Sequence, residues 1–309
     1  MSGHDLQSLA HERGLSAELV RDEPLSRHTS YRIGGPADFF SVAKNEQQLC
    51  GWTKVARELK QPYLIIGRGT NLLVADKGFR GLVIENRCLD FTLDGTSQTV
   101  HAQTGVPLAL LARKTAERGS AGLEWAIGIP GTVGGAIVNN AGAYNGTMED
   151  VVRRVAVLDL HGEVREILPE QLKLGYRTSR FREQEHHREV ILSVDLRLTP
   201  QSPKVLADRM TRYSALRRAA QPSQPSAGSV FKNPVGLSAA QLIEQAGLKG
   251  KRIGDAQISH KHANYIVNLG SAKANDVLQL TKLVRNEICE LFGAELELEI
   301  ELVGEWGNA

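Results

Sequence analysis

Spacing of apolar residues predicts a helix and then a buried strand in the first third of the chain. Apolar side chains recur at helical intervals over residues 49–59, and a short apolar run over residues 63–66 ends at Gly67. The β-branched and apolar runs farther along predict more strands, at residues 83–84, 99–102 and 190–198.

A hairpin and two further helices complete the central part of the pattern. Residues 155–158 and 164–167 flank the sequence DLHG at 159–162, which is typical of a turn between antiparallel strands. Residues 107–118 and 203–220 have helical spacing. Helices and strands interleave, so the expected fold class is mixed α and β.

The carboxyl-terminal region predicts one more helix and a strand. Apolar residues over 277–291 share one helical face, and Gly293 is placed to end that helix. Acidic and apolar residues then alternate over 295–303, which predicts a strand with four carboxylates on one face: Glu295, Glu297, Glu299 and Glu301. Most of these must be solvated because an unpaired buried charge is costly, but one is available to project into a cleft.

Length and composition indicate a globular protein. With 309 residues, 41% of them hydrophobic and 23% charged, the chain predicts about two domains and a core that needs no disulfide. A net charge of +2 excludes the basic surface of a nonspecific nucleic-acid binder. No apolar stretch approaches the ~18 residues of a membrane span. We therefore expect a cytoplasmic protein with neither nucleic-acid nor membrane partners.

Cysteine and histidine positions do not indicate a metal site. Cys50, Cys88 and Cys289 are far apart and form no zinc-binding spacing, which is typical of a reducing compartment. His260 and His262 lie on one side of an extended segment but have no evident third ligand. We predict no metal.

A first glycine-rich loop follows the predicted strand at residues 63–66. In IIGRGTNLL, over 65–73, Gly67 and Gly69 flank one residue, so backbone N–H groups there are able to form a concave anion site. The spacing is neither a Rossmann fingerprint nor a Walker phosphate-binding loop. An ordinary glycine turn is the alternative.

A second glycine-rich segment lies at residues 128–142. Five glycines within fifteen residues favour backbone that approaches a flat or charged ligand, because glycine weakens helices and strands. A long irregular loop is the alternative. Two such loops favour a large cofactor with a phosphate end and a ring end.

Arginines and tyrosines mark candidate anion sites. Tyr176 and Arg177 lie in YRTSRF, which is suited to holding an anion through charge-assisted hydrogen bonds. Arg217 and Arg218 belong to a locally basic helix, which is either a solvated face or the rim of a diphosphate site.

The sequence GSVFKNP places a hydroxyl, an ammonium and an amide close together. Ser229 is able to protonate an enolate if a neighbour such as Lys232 stabilises the alkoxide. A hydrogen bond from Ser229 to its own turn is the alternative role.

Together these motifs resemble those of the UDP-N-acetylenolpyruvoylglucosamine reductase family. They occur in the family's order and cover nearly the whole chain: TSYRIGGPA at 29–37, GRGTNLLV at 67–74, GIPGTVGGA at 128–136, NNAGAY at 139–144, GYRTSRF at 175–181, PSAGSVFKNP at 225–234, AGLKGKRIGDAQISHKHANYIVN at 246–268 and LELEIELVG at 296–304.

The resemblance implies an α+β fold of the FAD-linked oxidase type, which is PCMH-like. Residues 1–97 and 98–212 would form two FAD-binding subdomains, and residues 213–309 a smaller C-terminal substrate-binding domain. The implied cofactors are noncovalent FAD and, as hydride donor, NADPH. By position in the motifs, the implied FAD-binding residues are Gly67, Arg68, Gly69, Thr70, Asn71, Ile129, Pro130, Gly131, Thr132, Val133, Gly134, Gly135, Asn140 and Gly142.

The implied reaction converts UDP-N-acetylglucosamine enolpyruvate to UDP-N-acetylmuramate for peptidoglycan. NADPH reduces FAD, hydride passes to C3 of the enolpyruvyl group, and Ser229 donates a proton to C2. Arg177 and Glu299 would stabilise the enolate, which suits a cofactor enzyme whose protein supplies electrostatics. The expected substrate-binding residues are Tyr176, Arg217, Arg218, Lys232 and Asn233.

Two features depart from the pattern of many family members. Residues 182–189 leave no room for the tyrosine-bearing lid of one branch, so the chain resembles the branch without it. Glu301 stands where many members carry arginine, and we expect Arg217, Arg218 or Lys251 to bind more of the diphosphate.

Two alternative functions are an FAD-dependent oxidase that uses oxygen and a flavin or nucleotide carrier without activity. Ser229 and Glu299 favour the reductase over the oxidase.

Overall fold

The computed structural model describes residues 3–15, 18–182 and 189–307. Its α-helices are α1 Gly3–Glu12, α2 Glu46–Glu58, α3 Leu108–Glu117, α4 Val133–Val138, α5 Pro169–Leu172, α6 Pro203–Ala220, α7 Ala239–Gln245 and α8 Ala274–Phe292. Its strands are β1 Leu19–Pro24, β2 Pro36–Ala43, β3 Tyr63–Ile66, β4 Leu72–Val74, β5 Phe79–Asn86, β6 Phe91–Asp94, β7 Thr99–Gln103, β8 Ser120–Ala121, β9 Gly142–Ala143, β10 Gly146–Thr147, β11 Val152–Leu158, β12 Val164–Ile167, β13 Val190–Arg197, β14 Thr199–Pro200, β15 Arg252–Ile253, β16 Ala256–Ile258, β17 Ile266–Asn268 and β18 Glu301–Val303.

The chain divides into two compact units, each assembled from segments that are distant in sequence. The first unit consists of Met1–Val20, Phe39–Gly67 and Gly81–Arg217. The second consists of Arg21–Asp38, Arg68–Arg80 and Arg218–Ala309. The chain passes from one unit to the other within β1, β2 and β5, after Gly67, and within α6.

A five-stranded antiparallel sheet forms the centre of the first unit. Its strand order is β12-β11-β13-β7-β6, and the predicted hairpin forms its edge, with Val155 opposite Ile167. Apolar side chains from this sheet pack with α3 and α4 into one buried cluster that includes Val100, Leu111 and Ile137. The parallel pair β3 and β5 belongs to a second sheet of order β1-β2-β5-β3.

Short strands and two helices form the second unit. Strands β15, β16 and β17 make an antiparallel sheet, and β18 pairs parallel with β4, with Leu302 opposite Leu73. One face of α8 packs through Val277 and Val284 into a core with Phe231 and Ile300. This core joins residues that lie more than 200 positions apart.

Most elements with clear periodicity form where the sequence predicts them. Helix α6 and strand β3 have the predicted bounds, and α8 ends at Gly293, whose φ of 64° is left-handed. The predicted strand over 295–303 is wrong in extent, because regular pairing is limited to β18. Before it, Leu298 forms only an isolated bridge with Phe231.

Among the described residues, no helix is both long and apolar enough to cross a membrane. The same part of the chain contains no group of three or more histidines, cysteines or acidic residues arranged to hold a metal ion. Cys50, Cys88 and Cys289 are free thiols.

Candidate active site

Gly67, the first glycine of the first loop, lies against the second glycine-rich loop within the first unit. Gly67 follows directly after β3, and a Cβ atom added to it would lie 2.6 Å from Oγ1 of Thr132 in the second loop. Only a glycine permits that approach, because real side chains do not tolerate so short a contact. The structure therefore brings together two segments, 65 positions apart, that the sequence identifies separately as ligand-binding.

Hydrogen bonds within the second glycine-rich loop and to Thr104 fix its conformation. Thr132 caps α4 by accepting a hydrogen bond from Gly135 N, and Gly134 N donates to Thr104 O at 2.9 Å. Gly128, Pro130 and Gly135 are exposed. The loop thus presents peptide groups with little side-chain cover, as a planar ligand requires.

Asn140 and Gly142 hold the turn that carries Arg177. Buried Asn140 donates from Nδ2 to Gly175 O at 3.0 Å, and Arg177 donates from a guanidinium nitrogen to Gly142 O at 3.2 Å. Both residues were predicted to bind FAD. The contacts that the structure shows for them position the candidate catalytic arginine, and their binding of FAD stays a prediction.

Arg177 adopts a backbone conformation that side chains avoid. Its φ is 54°, in a turn closed by paired hydrogen bonds between Gly175 and Thr178. Non-glycine residues in this region are strained and cluster at functional sites. The guanidinium carbon lies 5.5 Å from the ring centre of exposed Tyr176. Sequence motifs alone do not reveal this strain.

Arg217 lies against the second glycine-rich loop. Its Cδ is 3.4 Å from the position that a Cβ on Gly128 would occupy. Arg217 is half-buried, whereas Arg218, which belongs to the second unit, is exposed. Of these two predicted substrate-binding arginines, Arg217 is therefore the one placed beside predicted FAD-binding backbone.

In the second unit, Gly69 occupies a position that only glycine fits. It is buried with a φ of 56°, and an added Cβ would lie 2.1 Å from His28 O. Ser30 N donates to Gly69 O at 3.1 Å, and Ser30 Oγ donates to Ser226 O at 2.7 Å. Ser30 therefore connects the first glycine-rich loop to the segment that carries Ser229, a link that sequence reasoning missed.

Ser229 and Glu299 are neighbours in the second unit although 70 positions separate them. Glu299 N donates to Val230 O at 2.8 Å, so the segments that carry the two candidate catalytic residues are hydrogen-bonded to each other. Glu299 is half-buried, while the other three glutamates of the alternating segment are exposed: Glu295, Glu297 and Glu301. The alternation predicted that one of the four carboxylates is available to project into a cleft, and Glu299 is the one that is half-buried.

Asn71 connects the predicted pyrophosphate loop to Glu299. Its Nδ2 donates to Glu299 O at 3.0 Å, and its own carbonyl accepts from Glu301 N at 2.8 Å. These bonds lie next to the parallel pairing of β4 with β18, which begins at Leu72 and Glu301. Asn71 and the segment that carries Glu299 are consequently fixed to each other.

Lys232 and Asn233 have structural partners as well as candidate roles. Lys232 Nζ forms a 3.0 Å ion pair with Glu297, and Asn233 Oδ1 accepts from Ala239 N at 3.0 Å at the start of α7. The ammonium is therefore neutralised in part by a carboxylate of this chain, which weakens it as an alkoxide stabiliser for Ser229.

His262 precedes Asn264 by two residues and contacts its backbone. Burial, and secondly the nearby Lys249 ammonium, lower the pKa of His262. Nδ1 of His262 accepts a hydrogen bond from Asn264 N at 3.3 Å, which an unprotonated nitrogen is able to do.

The glycine positions fit a bound flavin dinucleotide. Gly67 and Gly69 form a loop in which any side chain would clash with protein, and the second loop exposes glycine backbone. Backbone N–H groups in such loops bind phosphate oxygens. Arg177 with loop 128–135 belongs to the first unit, and Ser229 with Glu299 and residues 68–71 to the second.

Comparisons with known proteins identify two matching families of domain. Residues 37–168 match the model of an FAD binding domain, and residues 221–303 match that of the UDP-N-acetylenolpyruvoylglucosamine reductase C-terminal domain. The chain is 43% identical over 288 residues to a UDP-N-acetylenolpyruvoylglucosamine reductase of Alkaliphilus oremlandii, covering 93% of this chain and 94% of that one. To the same enzyme of Heliobacterium modesticaldum it is 44% identical over 300 residues, covering 96% and 94%.

A solved structure is similar over the same extent. The crystal structure of UDP-N-acetylenolpyruvylglucosamine reductase from Thermus caldophilus superposes with a TM-score of 0.77 at 37% identity. The match covers 93% of this chain and 98% of that one.

Proposed function

The chain belongs to the UDP-N-acetylenolpyruvoylglucosamine reductase family, and we propose that it uses NADPH and FAD to reduce the enolpyruvyl group of UDP-N-acetylglucosamine enolpyruvate, giving UDP-N-acetylmuramate for peptidoglycan. The observation that carries this proposal is the hydrogen bond between Glu299 N and Val230 O, which brings the segment of Glu299 against the residue that follows Ser229. A flavin oxidase or carrier needs no such proton donor and acid.

FAD is the cofactor, and when bound and reduced by NADPH it supplies the hydride that adds to C3 of the enolpyruvyl group. Noncovalent binding is part of the proposal, with the phosphates at Gly67 to Asn71 and the ring beside residues 129–135. The exposed glycine backbone of the second loop, at Gly128 and Gly135, supports this placement of the ring.

Ser229 donates the proton that completes the reaction at C2. A hydroxyl is a weak acid, but an enolate carbon is basic enough to accept its proton when the resulting alkoxide is stabilised. In this proposal Glu299, together with Arg177, stabilises the enolate that Ser229 protonates, and its half-burial supports that role.

Arg177 is the proposed anion-binding residue of the first unit. Its guanidinium would offset negative charge that develops on the substrate, since charged donors stabilise anions strongly where water is excluded. Its strained backbone supports a functional role, because strain of this kind persists where the surrounding structure maintains it.

The test is a substrate-dependent NADPH assay on the purified protein. We expect yellow protein that releases FAD on denaturation, and NADPH oxidation only when UDP-N-acetylglucosamine enolpyruvate is present, with UDP-N-acetylmuramate detected by mass spectrometry. Oxygen consumption without the sugar nucleotide would indicate an oxidase. Bound FAD with no NADPH oxidation under either condition would indicate a carrier.

A further inference from the structure

One buried residue, Asn264, forms most of the backbone hydrogen bonds of the two residues that follow Ser229. Asn264 O accepts from Val230 N at 2.9 Å, and Asn264 Oδ1 accepts from Phe231 N at 2.9 Å. Asn264 Nδ2 then donates to Phe231 O at 2.8 Å. Three of the four backbone polar groups of Val230 and Phe231 are therefore bonded to a single residue.

The fourth group, Val230 O, is bonded to the candidate catalytic acid itself. Val230 O accepts from Glu299 N at 2.8 Å, and Lys232 N donates to Glu297 O at 2.9 Å on the same side. The segment that follows Ser229 thus lies between Asn264 on one side and the Glu299 segment on the other.

The Asn264 side chain forms the backbone hydrogen bonds that a neighbouring strand would form in a sheet. Phe231 forms only an isolated bridge, to Leu298, and its N–H and C=O groups on the other side have the carboxamide of Asn264 as partner. A carboxamide carries both an acceptor and a donor, so it is able to bond both backbone polar groups of one residue.

From this geometry we propose that Asn264 is a positioning residue for proton delivery, setting the place of Ser229 relative to Glu299 through the peptide of Phe231. The inference rests on the proposed function. Asn264 is 4% exposed and Phe231 2% exposed, so water has no access to replace the lost bonds. Removing the carboxamide leaves two buried backbone groups without partners, and the segment must shift to find new ones.

Displacement of Ser229 affects one half of the reaction only. Flavin reduction by NADPH requires no proton from Ser229, whereas reoxidation by the enolpyruvyl substrate does. A misplacement of about 1 Å is able to cost ~10²-fold in rate. A loss of general folding stability, by contrast, does not distinguish the two half-reactions.

The experiment measures both half-reactions of the FAD-loaded enzyme by anaerobic stopped-flow absorbance. Asn264→Ala is compared with Asn268→Ala, a matched control, because Asn268 is 3% exposed and its side chain bonds Tyr31 O, Gly270 N and Ala272 N instead. We expect Asn264→Ala to slow reoxidation by about 10- to 100-fold. Its flavin reduction, and both half-reactions of Asn268→Ala, stay within about twofold of wild type.

Ser229→Ala serves as the reference that separates this inference from the proposed function. If Ser229→Ala slows reoxidation selectively and Asn264→Ala does not, the positioning role is wrong and the function stands. If Ser229→Ala leaves reoxidation unchanged, the proposed proton donor is wrong. Equal slowing of both half-reactions by Asn264→Ala also contradicts the inference.

A second variant decides the question if Asn264→Ala does not fold. Asn264→Leu keeps a similar volume but loses both the acceptor for Phe231 N and the donor to Phe231 O. We expect a selective slowing of reoxidation in this variant too. Wild-type reoxidation in folded Asn264→Leu would overturn the role.

Discussion

The left-handed backbone of Gly69 leaves no space for a side chain. An added Cβ would lie 2.1 Å from His28 O, so the loop cannot keep its shape with any larger residue. For Gly69→Val we expect protein that is colourless or weakly coloured after purification, because the loop proposed to bind the FAD phosphates is displaced. The measurement is the ratio of flavin to protein absorbance.

Gly236→Val is the control for this substitution. Gly236 has a φ of 71°, but no atom lies within 4 Å of its added Cβ, so the backbone strain is similar and the clash is absent. This control is expected to keep its FAD. Full FAD content in folded Gly69→Val would rule out the phosphate-loop proposal.

Half-burial separates Glu299 from the exposed glutamates beside it. For Glu299→Gln we expect flavin reduction by NADPH to be retained and reoxidation by the substrate to slow by about 10² or more, as for loss of an acid-base group. Stopped-flow absorbance measures both steps. The control is Glu295→Gln, which removes an exposed carboxylate of the same segment. An unchanged second half-reaction in Glu299→Gln would exclude this residue from the mechanism.

At the scale of elements, a cross-strand charge cluster joins β7, β11 and β13. Asp195 on β13 lies opposite His101, whose Nδ1 is 2.6 Å from its carboxylate, and Asp195 also pairs with Arg154. Burial raises the pKa of Asp195, but the hydrogen bonds from His101 and Arg154 outweigh burial and lower the pKa below its ordinary value.

The lowered pKa of Asp195 predicts a pH-dependent contribution to stability. The contribution is present above the pKa of the unfolded chain and is lost as pH falls through the lower pKa of the folded protein. For Asp195→Asn we expect the free energy of unfolding at pH 7 to fall by about 1 kcal/mol, after allowance for solvent screening. The difference should vanish well below pH ~3.9, the ordinary aspartate value.

Denaturant unfolding of both proteins at the two pH values measures this effect. Glu117→Gln is the comparison, because its carboxylate forms a single exposed ion pair with Lys114 and should change stability by less than about 0.5 kcal/mol. A stability difference for Asp195→Asn that is the same at both pH values would contradict the pKa argument.

Elements with a strong internal pattern are those that the sequence locates best. Helix α6 and strand β3 have their predicted bounds, and β11 and β12 form the predicted antiparallel hairpin. Short strands such as β4 and β15 have two or three residues and no periodicity to detect. The alternation over 295–303 predicts one strand, but the segment at 230–232 forms only isolated hydrogen bonds with it rather than regular strand pairing.

On the scale of the whole molecule, the family and the α+β fold class predicted from the motifs are confirmed. The relatives cover 93% or more of the chain, and the matched domains are an FAD binding domain and the reductase C-terminal domain. The prediction that residues 182–189 leave no room for a tyrosine-bearing lid is not tested, because residues 183–188 lie outside the described residues. The boundaries at residues 97 and 212 and the roles of the site residues stay predictions.

Chemistry and local structure are what the sequence determined by itself. Glycine spacing, apolar periodicity and short motifs each depend on neighbours within a few positions, so they can be recognised in the sequence alone. They identified the two glycine-rich loops, the helices and the candidate residues Ser229, Arg177 and Glu299. Tertiary structure alone decided which of the four glutamates is half-buried, that Gly67 meets Thr132, and that Asn264 bonds to the peptide of Phe231. These facts depend on hydrogen bonds and packing between residues 33 to 70 or more positions apart, and no local pattern encodes such pairings.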